Sequence, residues 1–231
     1  MPTAVVTGAN SGIGHEFAKL LIKEGYDVHA VDVNNGTKLQ SLSCQTSQLD
    51  VSSPESIAAF AASFGDERPL DLLLNVAGIM APHEADALET VDMETLHRVF
   101  AVNTFGPLLL TQALLPALLR SSGPPKVGVV SSRVGSIADN STGGLYAYRG
   151  SKAAVNAVFK NLSVDLGGRG VVVVILHPGI VRTGLDPSAH HASGEAVEPD
   201  EAAEKLWRVM RGKGLENTGR FWHREGYELP W

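Results

Sequence analysis

The sequence has one cysteine, no long apolar run and no cluster of basic residues. The lone Cys44 excludes an internal disulfide framework and is typical of a protein from a reducing compartment. The longest unbroken apolar run, 171–176, is far too short for the roughly 20 residues that a membrane-spanning helix needs. With 19 basic and 25 acidic residues the formal net charge is −6, so neither nucleic acid nor a membrane is an expected partner.

The chain does contain a regular alternation of apolar runs and amphipathic helical segments. Little sequence precedes the first run, so no signal peptide is expected and we predict a cytoplasmic location. Over 231 residues this alternation predicts a single α/β domain, a Rossmann-type doubly wound parallel sheet of about seven strands with helices on both faces. The predicted strands are 4–6, 26–31, a third ending at 48–51, 70–76, 126–132, 171–176 and 219–222. The main predicted helices are 15–24, 54–65, 93–119, 148–166 and 199–211.

A glycine-rich turn, 7–14, separates the first predicted strand from the first helix. In that context glycines let the backbone approach a pyrophosphate at the helix N-terminus. Asp32 closes the second strand, where a carboxylate can accept hydrogen bonds from an adenosine ribose. These features together predict a dinucleotide site, whose first candidate residues are Gly8, Asn10, Ser11, Gly12, Ile13, Gly14 and Asp32.

Several other small or polar residues also follow predicted strands. Because the carboxyl ends of parallel strands share one edge of a sheet, we expect these residues to converge there. We therefore expect a cofactor-binding half, about 1–125, followed by a catalytic and substrate half, about 126–231, with a mobile lid over about 184–198. The further candidate cofactor-binding residues are Asp50, Val51, Asn75, Ala77, Gly78, Pro178, Gly179, Val181 and Thr183.

Tyr148 and Lys152 lie four residues apart at the start of an apolar-periodic helix, so they share one face. A phenol titrates near pH 10, and a nearby ammonium favours the phenolate and lowers that pKa. The pair is thus a way to make a general acid and base from tyrosine. Ser131 and Ser132, at the end of the preceding strand, can supply a hydroxyl to the same place.

The long helix 93–119 carries Asn103 on its apolar face, and a buried asparagine needs hydrogen-bond partners. We expect Pro107 and Pro116 to kink this helix.

These motifs resemble those of the short-chain dehydrogenase/reductase family over nearly the whole chain. The T-G-x-x-x-G-I-G run at 7–14 matches its cofactor motif, and Asn75, Ala77 and Gly78 match its N-x-A-G element, with Val76 in place of a second asparagine. The stretches S-S-R-V-G-S-I-A-D-N and G-G-L-Y-A-Y-R-G-S-K are similar to the C-factor and sniffer-type carbonyl reductases. The resemblance implies a catalytic tetrad of Asn103, Ser132, Tyr148 and Lys152.

The resemblance also implies hydride transfer between a nicotinamide and a carbonyl or secondary alcohol. Tyr148 would exchange the proton, Ser132 would orient the carbonyl oxygen, and Lys152 would lower the Tyr148 pKa and hold the nicotinamide ribose. Asn103 would place a water between Lys152 and solvent. Ser132 lies 16 residues before Tyr148, farther than is usual, with the extra residues in the loop 136–144. Ser136 is the weaker alternative for the serine.

The charge around Asp32 favours NAD(H) over NADP(H), because residues 9–11 and 33–35 contain no base to neutralise a 2′-phosphate and Lys38 is the only nearby candidate. The resemblance to sniffer-type reductases, which look NADP-linked, points the other way. We expect a small-molecule carbonyl or alcohol substrate and a homodimer or homotetramer. Two alternatives stay open: a dinucleotide-binding sensor of low turnover, and a biosynthetic reductase with a second, non-redox activity. No metal is expected, since the His190–His191 pair has no Cys or acid at ligand spacing. Arg133 can contact substrate or cap its loop, and Tyr146 can line the pocket or pack.

Overall fold

The computed structural model of the chain describes residues 1–190 and 194–231, without the side chains of residues 188 and 190. Its centre is one sheet in which all seven strands are parallel, in the order β3-β2-β1-β4-β5-β6-β7. The strands are β1 Thr3–Thr7, β2 Asp27–Asp32, β3 Gln45–Gln48, β4 Leu72–Asn75, β5 Lys126–Val130, β6 Val172–His177 and β7 Arg220–His223. The predicted fold class is confirmed.

The helices cover both faces of this sheet. They are α1 Gly12–Lys23, α2 Thr37–Gln40, α3 Pro54–Phe64, α4 Met93–Phe100, α5 Gly106–Ala113, α6 Leu115–Leu118, α7 Tyr146–Gly167 and α8 Pro199–Arg211. Successive residues of β1 face opposite sides, as the pleat requires. Val5 packs with Phe159 of α7, whereas Val6 packs with Phe17 of α1 in a second core. Among the described helices, none has the length and apolar character needed to cross a membrane.

The third strand lies earlier than predicted. It covers Gln45–Gln48, and residues 49–51 form the turn into α3. The strand is at the edge of the sheet and is polar and partly exposed, so it lacks the apolar pattern that marks the other strands. Leu49 and Val51 are buried by the turn instead, which misplaced the prediction.

The predicted long helix 93–119 is divided into pieces. A π-helical turn, Ala101–Phe105, joins α4 to α5, and the chain breaks again at Leu114 before α6. Pro107 lies at the start of α5 and Pro116 at the start of α6. Proline lacks the N–H that a regular helix needs and its ring crowds the carbonyl four residues earlier. Both prolines thus lie beside departures from regular α-helix, and the bend that we expect at each stays a prediction.

The segment 184–198 contains a short 3₁₀ helix, Pro187–His190, and is held at its base by a bridge between Val181 and Val197. Val197 N donates to Ile180 O over 3.1 Å, and Arg182 N donates to Val197 O over 2.9 Å. The expected mobility of this lid stays a prediction. Residues 191–193, and with them His191, lie outside the described residues, as does the side chain of His190.

Candidate active site

The glycine turn after β1 lies between the loops that follow β4 and β6. Gly8 has φ +70°, and a Cβ there would lie 3.0 Å from Ala77 Cα. Gly12 has φ +53°, and a Cβ there would lie 3.2 Å from Thr183 Cγ2. Side chains would therefore fill this cradle and strain its backbone. Ser11, Gly12 and Ile13 form the N-terminus of α1, whose free N–H groups suit a phosphate.

Thr7 joins two of these loops, since its hydroxyl accepts hydrogen bonds from Val76 N and Ala77 N, both over 3.0 Å. For Asn75, the expected contact with the cofactor stays a prediction. Its buried side chain donates to Gly128 O on β5 over 3.4 Å and so lies within the sheet. Ala77 and Gly78, by contrast, lie beside the glycine turn and the catalytic candidates.

Asp32 ends β2 and connects both sides of the proposed ribose site. Its Oδ2 accepts from Asn10 N over 3.0 Å, and its Oδ1 accepts from Asn34 N over 2.9 Å. The Asn10 side chain accepts from Leu39 N over 3.0 Å, which attaches the glycine turn to α2. A carboxylate with two oxygens can accept further hydrogen bonds beside these backbone bonds.

Asp50 and Val51 come directly after β3, on the same edge. The Asp50 carboxylate accepts from Ser52 N and from Ser52 Oγ, over 2.8 and 2.6 Å. Val51 packs against the start of α5, since a Cβ on Gly106 would lie 3.0 Å from Val51 Cβ. Both residues are thus placed by the turn that leads into α3.

Tyr148 and Lys152 are both buried on the same face of α7, with 7% and 4% of their surface exposed. Lys152 Nζ donates to Val130 O over 2.9 Å and lies 5.7 Å from the centre of the Tyr148 ring. The Ser132 side chain lies close enough to the Tyr148 hydroxyl to lower its pKa. The structure thus brings together three of the four residues that the resemblance implies as a tetrad.

The other two serines are engaged elsewhere. Ser131 is buried and donates to Asn156 Oδ1 over 2.6 Å. Ser136, also buried, accepts from Asp139 N over 3.2 Å. Of these three serines, Ser132 is the one whose side chain lowers the Tyr148 pKa, and its catalytic role stays a prediction.

The electrostatics of the pair differ from the expectation. Burial raises the pKa of Tyr148 to about 12, and the Asp186 charge adds to this, although the Ser132 hydrogen bond opposes it. Burial also lowers the pKa of Lys152 to about 8. The predicted lowering of the Tyr148 pKa by Lys152 is wrong for this structure, because desolvation outweighs the other contributions.

Asn103 occupies the π-helical turn and is almost fully buried. Its amide donates to Ile79 O and Ser151 Oγ, over 2.9 and 3.0 Å, and its oxygen accepts from Ile79 N over 2.9 Å. It thereby attaches the loop after β4 to α7. A Cβ on Gly78 would lie 3.3 Å from Asn103 Oδ1 and 3.6 Å from Lys152 Nζ, so this glycine separates the two. A water at this place stays a prediction.

Arg224, after β7, is an important residue of the site that the sequence did not indicate. Its buried guanidinium donates to Pro178 O over 2.7 Å, to Ile180 O over 3.1 Å and to Glu195 O over 2.8 Å. Gly179, at φ +70°, lies directly against this guanidinium and has no room for a side chain. In the sequence Arg224 is one of several charges in an aromatic-rich terminal segment, with no pattern to distinguish it.

Arg133 and Tyr146 have distinct settings. Arg133 Nε donates to Asp139 Oδ2 over 2.6 Å, so the arginine caps its own loop. Tyr146 begins α7 with 43% of its surface exposed.

A parallel sheet with a glycine cradle, an acid at the end of β2 and a Ser–Tyr–Lys group at one edge defines an NAD(P)-dependent oxidoreductase. The residues present fit the cofactor, because a Cβ at Gly8 or Gly12 would fill the cradle where the dinucleotide approaches. A family model described as short chain dehydrogenase matches residues 2–193. The chain belongs to the short-chain dehydrogenase family.

Similar proteins agree with this membership. The chain is 38% identical to 1-hydroxy-2-glutathionyl-2-methyl-3-butene dehydrogenase of Rhodococcus sp. (strain AD45), covering 100% of both chains. It is 40% identical to C-signal of Myxococcus xanthus, over 71% of this chain and 93% of that one.

Two solved structures have the same fold over 100% of this chain. The NADPH-bound carbonyl reductase from chicken fatty liver is 31% identical with a TM-score of 0.88, over 99% of its chain. The carbonyl reductase Sniffer of D. melanogaster is 27% identical with a TM-score of 0.89, over 100% of its chain. The predicted likeness to C-factor and sniffer-type proteins is confirmed.

Proposed function

We propose that the protein interconverts a carbonyl compound and the corresponding alcohol, with Tyr148 as the general acid and base. The observation that carries this proposal is the buried Tyr148 side chain, which lies beside Ser132 and Lys152 at the edge where the glycine cradle lies. The names of two similar proteins support the substrate class, since one is a dehydrogenase of a hydroxy compound and the other a carbonyl reductase.

The cofactor, when bound, supplies or accepts the hydride at the substrate carbon. Gly8, Gly12, Asp32, Thr183 and Lys152 are the residues that we propose to hold it. With a pKa of about 12, Tyr148 keeps its proton at neutral pH and is a proton donor to the oxygen of a carbonyl being reduced. Ser132 donates a hydrogen bond to the same oxygen and stabilises its developing charge. Lys152, whose pKa is about 8, can then return a proton to the tyrosinate.

A Tyr148 pKa of about 12 keeps the hydroxyl protonated at neutral pH, which is the form that reduction needs. Oxidation of an alcohol needs the tyrosinate, which is scarce until the pH approaches the Tyr148 pKa. We therefore propose that the chain is more effective as a reductase at neutral pH and gains dehydrogenase activity as the pH rises. The lone negative charge of Asp32 in the cradle supports NAD(H) as the preferred cofactor.

The test begins with a screen of aldehydes, ketones and alcohols with NADH, NADPH and their oxidised forms, followed by absorbance of the reduced nicotinamide. On the best substrate, Tyr148→Phe should lose about 10²–10⁴-fold in kcat, because the ring stays and the proton donor is removed. Cofactor binding, measured by fluorescence titration, should persist in this variant. Tyr146→Phe, an exposed tyrosine two residues away, is the matched control and should keep its activity. Near-normal turnover of Tyr148→Phe would show the assignment to be wrong.

A further inference from the structure

The first turn of α7 lacks a cap from its own sequence. Leu145, the residue before the helix, has the left-handed conformation at φ 52° and ψ 49° and has no polar side chain to offer. The first N–H groups of any helix have no partner within it, and buried N–H groups need acceptors. Ala147 and Tyr148, both buried, carry two of these groups.

Asp86 supplies the missing acceptors from a distant part of the chain. Its Oδ1 accepts from Ala147 N over 2.6 Å, and its Oδ2 accepts from Tyr148 N over 3.1 Å. Its backbone oxygen accepts from Tyr146 N over 3.4 Å. Asp86 itself has 0% of its surface exposed. A carboxylate at this end of a 22-residue helix is also favoured by the helix dipole.

The surroundings of Asp86 hold it firmly in place. The residue follows the 3₁₀ helix His83–Ala85, and its own N–H donates to Pro82 O over 3.1 Å. Ala147 packs in a small core with Ala81, which precedes Asp86 in the chain, and Val99, which follows it. The first turn of α7 is thus attached to the loop after β4 as well as to the sheet.

We propose that Asp86 is a positioning residue for Tyr148, holding its backbone so that its hydroxyl stays at Ser132. This inference rests on the proposed function. Tyr148 is itself one of the two residues whose N–H groups the carboxylate binds, so a shift at Asp86 displaces the tyrosine directly. An asparagine of the same size offers one acceptor and places an NH₂ group against a backbone N–H, so it cannot reproduce both bonds.

The experiment measures kcat, the KM values and the dissociation constant of the cofactor for Asp86→Asn. Displacement of a reacting group by about 1 Å can cost up to about 10²-fold, so we expect kcat to fall by about ten- to a hundred-fold. The KM of the cofactor and its dissociation constant should stay unchanged, because the Asp86 carboxylate bonds to Ala147 N and Tyr148 N, and neither residue is among those that we propose to hold the cofactor. Asp92→Asn is the control for loss of a helix-capping carboxylate. Asp92 is an exposed N-cap at the start of α4, where it accepts from Thr95 N over 2.8 Å, and α4 carries none of the proposed acid–base residues.

A double-mutant cycle with Ser132→Ala separates positioning from a purely structural role. If Asp86 holds Tyr148 against Ser132, the loss from Ser132→Ala should be smaller in the Asp86→Asn background. In the Asp92→Asn background it should be unchanged. Should Asp86→Asn fail to fold, Asp86→Ser, which keeps one acceptor, takes its place in the same cycle.

An unchanged kcat, an equal loss in Asp92→Asn, or full additivity with Ser132→Ala would overturn the inference. Its failure is distinguishable from failure of the proposed function. If Tyr148→Phe keeps its turnover, the proposed function is wrong; if Tyr148→Phe is inactive while Asp86→Asn is fully active, only the positioning role is wrong.

Discussion

Tyr148 is a buried phenol whose neighbours pull its pKa in opposite directions. Burial and the negative charge of Asp186 raise this pKa, and the Ser132 hydrogen bond lowers it. Asp186 lies on the lid segment, with its Oδ2 4.0 Å from His83 Nε2. The acid that raises the Tyr148 pKa therefore comes from the segment 184–198, which the sequence analysis marked only as a mobile lid.

Removal of the Asp186 charge should make the tyrosinate easier to form. Since the negative charge raises the Tyr148 pKa, Asp186→Asn should lower it, and oxidation of an alcohol should begin at a lower pH. The pH profile of kcat for oxidation measures this shift. Asp165→Asn, an exposed acid near the far end of α7, makes the same change in net charge. An equal shift in both variants, or a shift of Asp186→Asn toward higher pH, would contradict the prediction.

Asp32 should determine which nicotinamide is used. At about 4 Å and an effective dielectric constant near 20, two unit charges repel by roughly 4 kcal/mol, so a 2′-phosphate beside this carboxylate is strongly disfavoured. We expect the parent to have a higher kcat/KM with NADH than with NADPH on one substrate. Asp32→Ser should move the ratio toward NADPH.

The ratio is the informative quantity here, because Asp32 also accepts from Asn10 N and Asn34 N, and its loss can weaken both cofactors. Asp27→Asn, at the opposite end of β2, is the control and should leave the ratio unchanged. A parent that prefers NADPH, or a ratio that Asp32→Ser does not change, refutes this assignment.

At the scale of elements, local signals in the sequence predicted well what is local in the structure. The predicted start of the helix at residue 54 is confirmed by α3, where Ser53 Oγ accepts from Ser56 N. The four-residue spacing of Tyr148 and Lys152 correctly placed both on one helix face. The position of Ser132 depended on a strand end, which the apolar run 127–130 marks clearly.

The contacts that the sequence could not predict join residues that are far apart in the chain. Asp86 and Tyr148 are 62 residues apart, and Arg224 is 46 residues from the carbonyl of Pro178. No periodicity connects such residues. The π-helical turn at Asn103 was missed for a related reason, because its side-chain partners Ile79 and Ser151 belong to other elements.

Arg224 should hold the loop after β6 in one conformation, because its guanidinium binds three carbonyl oxygens of that segment. Lysine has a single ammonium and cannot reproduce a planar fork that serves three carbonyls. Hydrogen bonds from charged groups contribute about 1.5–3 kcal/mol each, so Arg224→Lys should lower kcat/KM by about tenfold or more and raise the KM of the cofactor. Arg220→Lys, an exposed arginine on β7 that pairs with Glu228 over 3.1 Å, should have little effect. Equal kinetics for Arg224→Lys and the parent would count against this role.

At the scale of the whole molecule, the parallel sheet explains why a site could be predicted without any contact information. All strands point the same way, so six separate strand ends bring their following residues to one edge. The pattern of strands thus carries the long-range geometry that single residues cannot. Asp86 and Arg224 then hold Tyr148 and the loop after β6 in place at this edge. Both residues lie in loops, and the strand pattern does not determine the paths of loops.

His29 and His177 should make the stability of the folded protein depend on pH. Burial lowers the pKa of His29 from 6.5 to about 4 and that of His177 from 6.5 to about 3, with nearby arginines contributing to both. When the folded pKa of a base lies below its unfolded value, the unfolded chain binds more protons in the interval between them. Stability is therefore complete above the unfolded pKa of about 6.5 and decreases as the pH falls toward the folded values.

Replacement of these histidines should flatten that dependence. The free energy of unfolding, from urea titrations at about pH 7 and about pH 5, should fall less between the two conditions in His29→Gln and in His177→Gln than in the parent. Glutamine keeps a polar group that can reach Ser47 Oγ, which lies 2.7 Å from His29 Nε2, but it cannot take up a proton. His97→Gln, at an exposed position on α4, should show the full loss of the parent. A parent that is as stable at the lower pH as at neutral pH would rule out buried neutral histidines as a source of acid sensitivity.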